Sequence, residues 1–396
     1  MTGRGAPVPR RGPSGIGVGR LFGVRILLHP SWFIIFALVV VSVAFLFTNA
    51  QSASRQEWTT PIAWFAGVVF AVLFFSSVLI HELAHALVAR RRGLEVSEIV
   101  LFIFGGAANL EQDAPNARTE GLVAIAGPLA SLVLGGLFLG AWLVLPQPQN
   151  GADLMGVPSD LAPIIGGSNV ILAVFNLIPG FPMDGGRILR AIVWGISGDF
   201  LRATRVATLV GRLIAYGMIA VGFFIAITGD VVYGVWLAFI GWFLNQAAEA
   251  SYRRVAVEKL VEGIRVRDVM DRDVPVIGPN LTLDTLVDQH LLTGQASMYP
   301  VTMDGDMLMG TVEIGQVSKI PRPDWPNTRV TDIMTRGEAM VTMIEPDALW
   351  DAVTRFEETA LPAIPVVDEE TRRRLIGLVT RDGVFRALRN RAQLRV

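Results

Sequence analysis

Six stretches of this 396-residue sequence stay apolar long enough to cross a bilayer, which takes about 20 residues of helix. They lie near residues 30–49, 61–89, 121–145, 161–178, 206–227 and 231–250. With 52% hydrophobic residues overall, the chain is read as a polytopic α-helical membrane protein. The arginines orient it. Arg4, Arg10, Arg11 and Arg20 precede the first run, Arg90, Arg91 and Arg92 follow the second, and Arg187, Arg190, Arg202 and Arg205 follow the fourth. Arg253 and Arg254 follow the sixth, whereas the opposite loops hold only Arg55. By the positive-inside bias both termini are expected in the cytoplasm, with the protein in the cell (inner) membrane.

Residues 1–25, rich in Gly, Pro and Arg, read as a flexible basic tail held at the inner membrane face rather than a nucleic-acid-binding arm, and no nucleic-acid partner is expected. Residues 26–250 form the membrane domain, 251–263 an amphipathic linker helix and 264–396 a soluble module. Of the 35 acidic residues, 13 precede residue 250 and 22 follow it, which separates a lipid-facing part from a water-facing one. There is no cysteine, so thiolate metal sites, thiol nucleophiles and disulfides are excluded and any metal must use nitrogen and oxygen ligands.

The second apolar run ends in "LIHELAHALVARRRG", residues 79–93. On a helix, positions four apart share a face, so His81 and His85 can turn two imidazoles to one ion while Glu82 projects beside them. Ionisable groups at lipid depth are costly and usually functional. A catalytic zinc generally takes three protein ligands, so a third must come from elsewhere. The fourth run is interrupted by "NLIPGFPMDGGRILRA", residues 176–191, where prolines and glycines break the helix. Irregular backbone at membrane depth is tolerated only inside protein or beside a wet cavity. Asp184 sits in that break, where it can complete a His, His, Asp set or instead pair with Arg187.

These segments, with "GVRILLHPSWF", "FGGAANL" and "AIAGPLAS", resemble the site-2 protease family of intramembrane zinc metalloproteases (M50-type) over residues 20–250. The resemblance implies His81, His85 and Asp184 as ligands of one Zn2+, Glu82 as the catalytic glutamate, and Asn176 as a stabiliser of the oxyanion or of bound substrate. Asn176 equally suits a structural role, satisfying carbonyls freed in the broken helix. His29, before Pro30, is read as interfacial and structural. "EIVLFIFGGAANLEQ", residues 98–112, reads as a re-entrant β-hairpin or loop. The resemblance implies that it offers a strand edge to substrate; a structural plug beside the metal helix fits as well. The small residues of "GPLAS" are expected to serve close helix packing.

Beyond residue 250 a repeat appears: "VRDVM" at 266–270 returns as "VTDIM" at 330–334, a period near 64 residues. The module resembles a soluble α/β tandem pair of CBS domains, at 264–321 and 328–390. That resemblance implies an adenine nucleotide, ATP or AMP, on Thr380 and Asp382 of the second copy, and a homodimer through the CBS domains. The first copy carries Glu313 and Gly315 at the matching positions, so one site at most is expected. A cap on the helix after Asp382 competes with the ligand role.

The leading expectation is thus an intramembrane endopeptidase cutting in or near the transmembrane segment of a single-pass membrane protein, such as an anti-sigma factor. The CBS pair would act as a nucleotide-responsive or dimerising module. A CBS-regulated channel or transporter is the rival, but it predicts duplicated transmembrane halves, and none is evident.

Overall fold

The computed structural model describes residues 15–48, 59–103, 105–110, 113–146, 157–292, 296–304, 306–359 and 361–394. Two compact units divide at residue 255. In the first, a hairpin of β1 (Ile16–Leu21) and β2 (Val24–Leu28) leads into helix α1 (Pro30–Thr48). Part of the stretch expected as a basic tail over residues 1–25 thus forms strands. Residues 16–21 alternate around glycines and pair antiparallel with β2, as Leu21 with Val24 and Arg20 with Arg25. Of the expected tail, residues 1–14 lie outside the described residues.

Helix α2 (Thr60–Arg91) carries the histidines. It is followed by β3 (Val96–Phe102) and β4 (Gly105–Leu110), an antiparallel pair over the stretch expected to form a hairpin. Pairing of β2 with β3 in parallel joins all four strands into one sheet, ordered β1-β2-β3-β4. Val24, Ile26, Ile99 and Leu101 of this sheet are buried, with Val24 and Ile99 packing among Val78, Leu83 and Ala86 of α2.

Helices α3 (Ala117–Val144), α4 (Val157–Asn176), α5 (Asp184–Ser197), α6 (Phe200–Thr228) and α7 (Val231–Val261) complete the unit. Among the described residues six helices, all of these with α1 and α2 except α5, are long and apolar enough to span a membrane. Between α4 and α5 seven residues run as turns, and their amide groups find partners locally or on α6, as where Phe181 N donates to Ala207 O at 3.2 Å. The expected separate linker helix at 251–263 is not a distinct element. Its amphipathic sequence contains no breaker, so α7 runs through to Val261.

The second unit contains α8 (Leu283–Leu286), β5 (Met298–Met303), β6 (Met307–Glu313), α9 (Ile314–Val317), α10 (Val330–Ile333), β7 (Met343–Ile344), α11 (Leu349–Thr359), β8 (Ala363–Val367), β9 (Leu375–Thr380) and α12 (Arg381–Leu394). The sequence repeat becomes a spatial one, with its opening segments exchanged. Asp271, after "VRDVM", pairs with Leu378 of β9, while Thr335, after "VTDIM", pairs with Thr311 of β6. Val266 and Met270 accordingly pack with Ile364 and Val379, and Val330 and Met334 with Tyr299 and Val312. Of the copies expected at 264–321 and 328–390, each core thus takes in the first turn of the other copy.

Candidate metal centre

Five elements converge on one cavity of about 250 Å³, lined among others by His81, Glu82, His85, Gly106, Val123, Asn176, Asp184 and Arg187. His81 and His85 are buried on α2, one helical turn apart, with Nε2 atoms 3.2 Å from each other. Asp184, the first residue of α5, brings Oδ2 to 3.2 Å from His81 Nε2 and 3.1 Å from His85 Nε2. The two segments are about a hundred residues apart in sequence, and the turn between α4 and α5 delivers the carboxylate. Arg187, the other partner foreseen for Asp184, instead donates from Nε to Glu120 at 3.1 Å.

The donor set fits a zinc ion. His85 Nδ1 lies 2.7 Å from the Val123 carbonyl, which can only accept, so in the neutral ring Nδ1 carries the hydrogen and the Nε2 lone pair points inward. His81 Nδ1 lies 2.9 Å from Ser131 Oγ. Two imidazole nitrogens and a carboxylate oxygen thus face one point at mutual distances of 3.1–3.2 Å. Zinc bonds of about 2.0–2.1 Å in a tetrahedron place neighbouring ligand atoms roughly 3.3 Å apart, so the spacing suits such an ion. Outward hydrogen bonds of this type orient metal-binding histidines.

The residues shaping this centre were only partly anticipated. Val123, Gly127 and Ser131 of α3, spaced four apart, line one face toward the histidines. The close packing expected of "GPLAS" takes a particular form at Gly127, which sets α3 against the imidazoles of α2. A Cβ on Gly127 would fall 2.2 Å from His85 Nε2 and 2.6 Å from His81 Nε2, so the missing side chain leaves room for the imidazoles. The four-residue spacing of Gly127 and Ser131 was the available signal. Gly106 of β4 likewise lies against Glu82, since a Cβ there would come 2.4 Å from Glu82 Cγ. Asn176, at the last position of α4, lines the cavity while donating from Nδ2 to Leu172 O at 3.0 Å. His29 sits away from this cluster, with Nδ1 2.7 Å from Ser31 Oγ.

Thr380 and Asp382 belong to the second unit. Thr380 closes β9, and its Oγ1 accepts from Gly383 N at 3.0 Å, so the cap on α12 is Thr380 rather than Asp382. Asp382 lies in the first turn of α12.

A glutamate beside two histidines and an aspartate in a membrane helix bundle defines the class as a metal-dependent hydrolase embedded among apolar helices. Comparison with known proteins makes this specific. The family model of peptidase family M50 matches residues 69–161 and 155–218, and that of the CBS domain matches residues 330–390. Protein sll0528 of Synechocystis sp., a candidate zinc metalloprotease, is 32% identical over 95% of this chain and 96% of its own length. Rip3 of Mycobacterium tuberculosis, also a candidate zinc metalloprotease, is 31% identical over 94% of this chain and 92% of that one. Zinc metalloprotease MJ0392 of Methanocaldococcus jannaschii is 30% identical over 76% and 78%. The chain belongs to peptidase family M50, the site-2 protease family of zinc metalloproteases, and it carries a CBS domain.

Proposed function

We propose that the protein is an intramembrane endopeptidase that hydrolyses a peptide bond within or near the transmembrane segment of a membrane-tethered substrate. The observation carrying this reading is the meeting of His81, His85 and Asp184 within 3.1–3.2 Å of one another, with Glu82 in the same cavity, among helices apolar enough to span a bilayer. His81, His85 and Asp184 hold the ion. Bound zinc would supply a Lewis acid for the scissile carbonyl and make a neighbouring water more acidic. Glu82 takes a proton from the attacking water and passes it to the leaving amine. Asn176 turns its remaining amide hydrogen toward charge developing on the carbonyl oxygen.

A helical substrate hides its peptide bonds in its own turns, so it must be held extended. Among the described residues, β4 is an edge strand, and Gly106 sets it against Glu82. Substrate is read as adding a strand there, in a re-entrant hairpin reached from within the membrane. The arginines Arg90 and Arg91 at the end of α2 and Arg92 just after it, up to about two turns beyond His85, support a cut near the cytoplasmic face of the cell membrane, with both termini read as cytoplasmic. The substrate class is a single-pass membrane protein, with an anti-sigma factor as the type case. The second unit acts as a tandem CBS pair responding to ATP or AMP at Thr380 and Asp382, and offers a surface for a homodimer.

The test is cleavage of a panel of single-pass membrane proteins by purified protein. Glu82→Gln should lose cleavage while keeping one zinc per chain, and His81→Ala should lose both. Full activity in Glu82→Gln would reject the base assignment. Cleavage that ignores ATP and AMP, with neither nucleotide bound, would reject the regulatory reading.

A further inference from the structure

Glu120 is a buried carboxylate that the mechanism above leaves without a task. It is 2% exposed in the first turn of α3 and accepts two hydrogen bonds from α5, from Arg187 Nε at 3.1 Å and from Arg190 Nη2 at 2.5 Å. Arg190 is itself 8% exposed, and its guanidinium lies 5.0 Å and 4.7 Å from the ring centres of Phe181 and Phe200. Two charges held this far from water, with the partly buried Arg187 beside them, are costly to keep, and removing one leaves the others stranded.

The location of this cluster gives it consequence. Asp184 is the first residue of α5, where a helix has the fewest backbone bonds, and Met183 before it supplies no side-chain cap. Something outside the helix must therefore fix the carboxylate. Arg187 stands three residues on, on the same face as Asp184, and lines the same cavity. Glu120 in turn shares its face of α3 with Val123, Gly127 and Ser131, the positions that meet His81 and His85. One face of one helix thereby grips both parts of the ligand set.

We propose that Glu120 is a positioning residue, whose ion pairs with Arg187 and Arg190 set the register of α5 on α3 and so hold Asp184 at metal-binding distance from the two histidines. This rests on the reading of His81, His85 and Asp184 as the metal site. Glu120 is not among the residues lining the cavity; it acts through α5.

The test uses the full chain in detergent, comparing wild type with Glu120→Gln and Glu120→Asp. Zinc affinity is measured by competition with a chromophoric chelator, coordination by the visible spectrum of the cobalt-substituted protein, and folding by thermal unfolding of the metal-free form. Zinc affinity should weaken roughly 10- to 100-fold in Glu120→Gln, the usual range for residues behind metal ligands, with an altered cobalt spectrum. Glu120→Asp, which keeps the charge but retracts it, should show a smaller loss. Wild-type affinity and an unchanged spectrum in Glu120→Gln would overturn the proposal, whatever happens to the unfolding temperature, because a purely structural ion cluster predicts that pattern. Should Glu120→Gln fail to fold, wild-type affinity in Glu120→Asp would overturn it equally. A wild-type protein with no zinc dependent on His81 would reject the metal site itself, an outcome distinct from either.

Discussion

His85 Nε2 occupies the space where a side chain on Gly127 would begin, 2.2 Å from the ideal Cβ position. Gly127→Ala should therefore push the imidazole off its inward direction. Zinc content of the purified protein is expected to fall by roughly tenfold or more, against little change in helix content by circular dichroism. Ser131→Ala tests the neighbouring contact. It removes the partner of His81 Nδ1 without adding volume, so zinc should bind about 10-fold more weakly, as read by chelator competition. The proposed histidine ligands stood out in the sequence, because two histidines four residues apart in an apolar run have few structural uses. Gly127, Ser131 and Glu120 did not, since the four-residue spacing of Gly127 and Ser131 and the charge of Glu120 become informative only once the facing helices are in place.

At the scale of elements, the turn from Leu177 to Met183 separates α4 from α5 and puts Asp184 at a helix start. The prolines and glycines of this stretch announced a break, but their spacing could not say which way the chain would turn afterwards. The strands β1 and β2 were hidden for a related reason. Glycine and arginine in residues 16–25 look like tail composition, and the sheet that β2 joins is completed by β3, about seventy residues later. In the second unit the loop between β8 and β9 is organised by Asp368. Its carboxylate accepts from the Thr371 hydroxyl and from the amides of Thr371 and Arg374, which holds its pKa down to about 2 from the ordinary 3.8. A depressed folded-state pKa gives stability that is present above the unfolded value and is lost as pH falls through the folded one. Asp368→Asn should accordingly lower the unfolding temperature at neutral pH, and the difference from wild type should shrink between about pH 4 and pH 2. A pH-independent difference would show that the carboxylate's charge is not what organises the loop.

Across the whole molecule, the repeat in the second unit shows how far periodicity reaches. "VRDVM" and "VTDIM" declare two copies, but the repeat does not say which core each opening segment joins. The chain exchanges them, with Val266 completing the core around Ile364 and Val379. Val266 is fully buried, so Val266→Ala should cost of the order of 1–3 kcal/mol through lost burial and a residual cavity. Amide hydrogen exchange should locate that loss in β8 and β9 rather than in β5 and β6. Equal loosening of both halves, or loosening of β5 and β6 alone, would contradict the exchanged arrangement. What the sequence determined alone were properties set by local composition: apolar length, charge on one side of the spans, histidine spacing and the period of the repeat. Each depends on neighbours within a turn or a span, so no distant contact is needed to read it. The tertiary structure decided which distant groups meet: Asp184 with His81 and His85, Glu120 with Arg187 and Arg190, and one repeat's opening segment with the other's core. Those pairings depend on the direction in which each turn returns the chain and on the fit of facing surfaces, and neither is a property of any single stretch of residues.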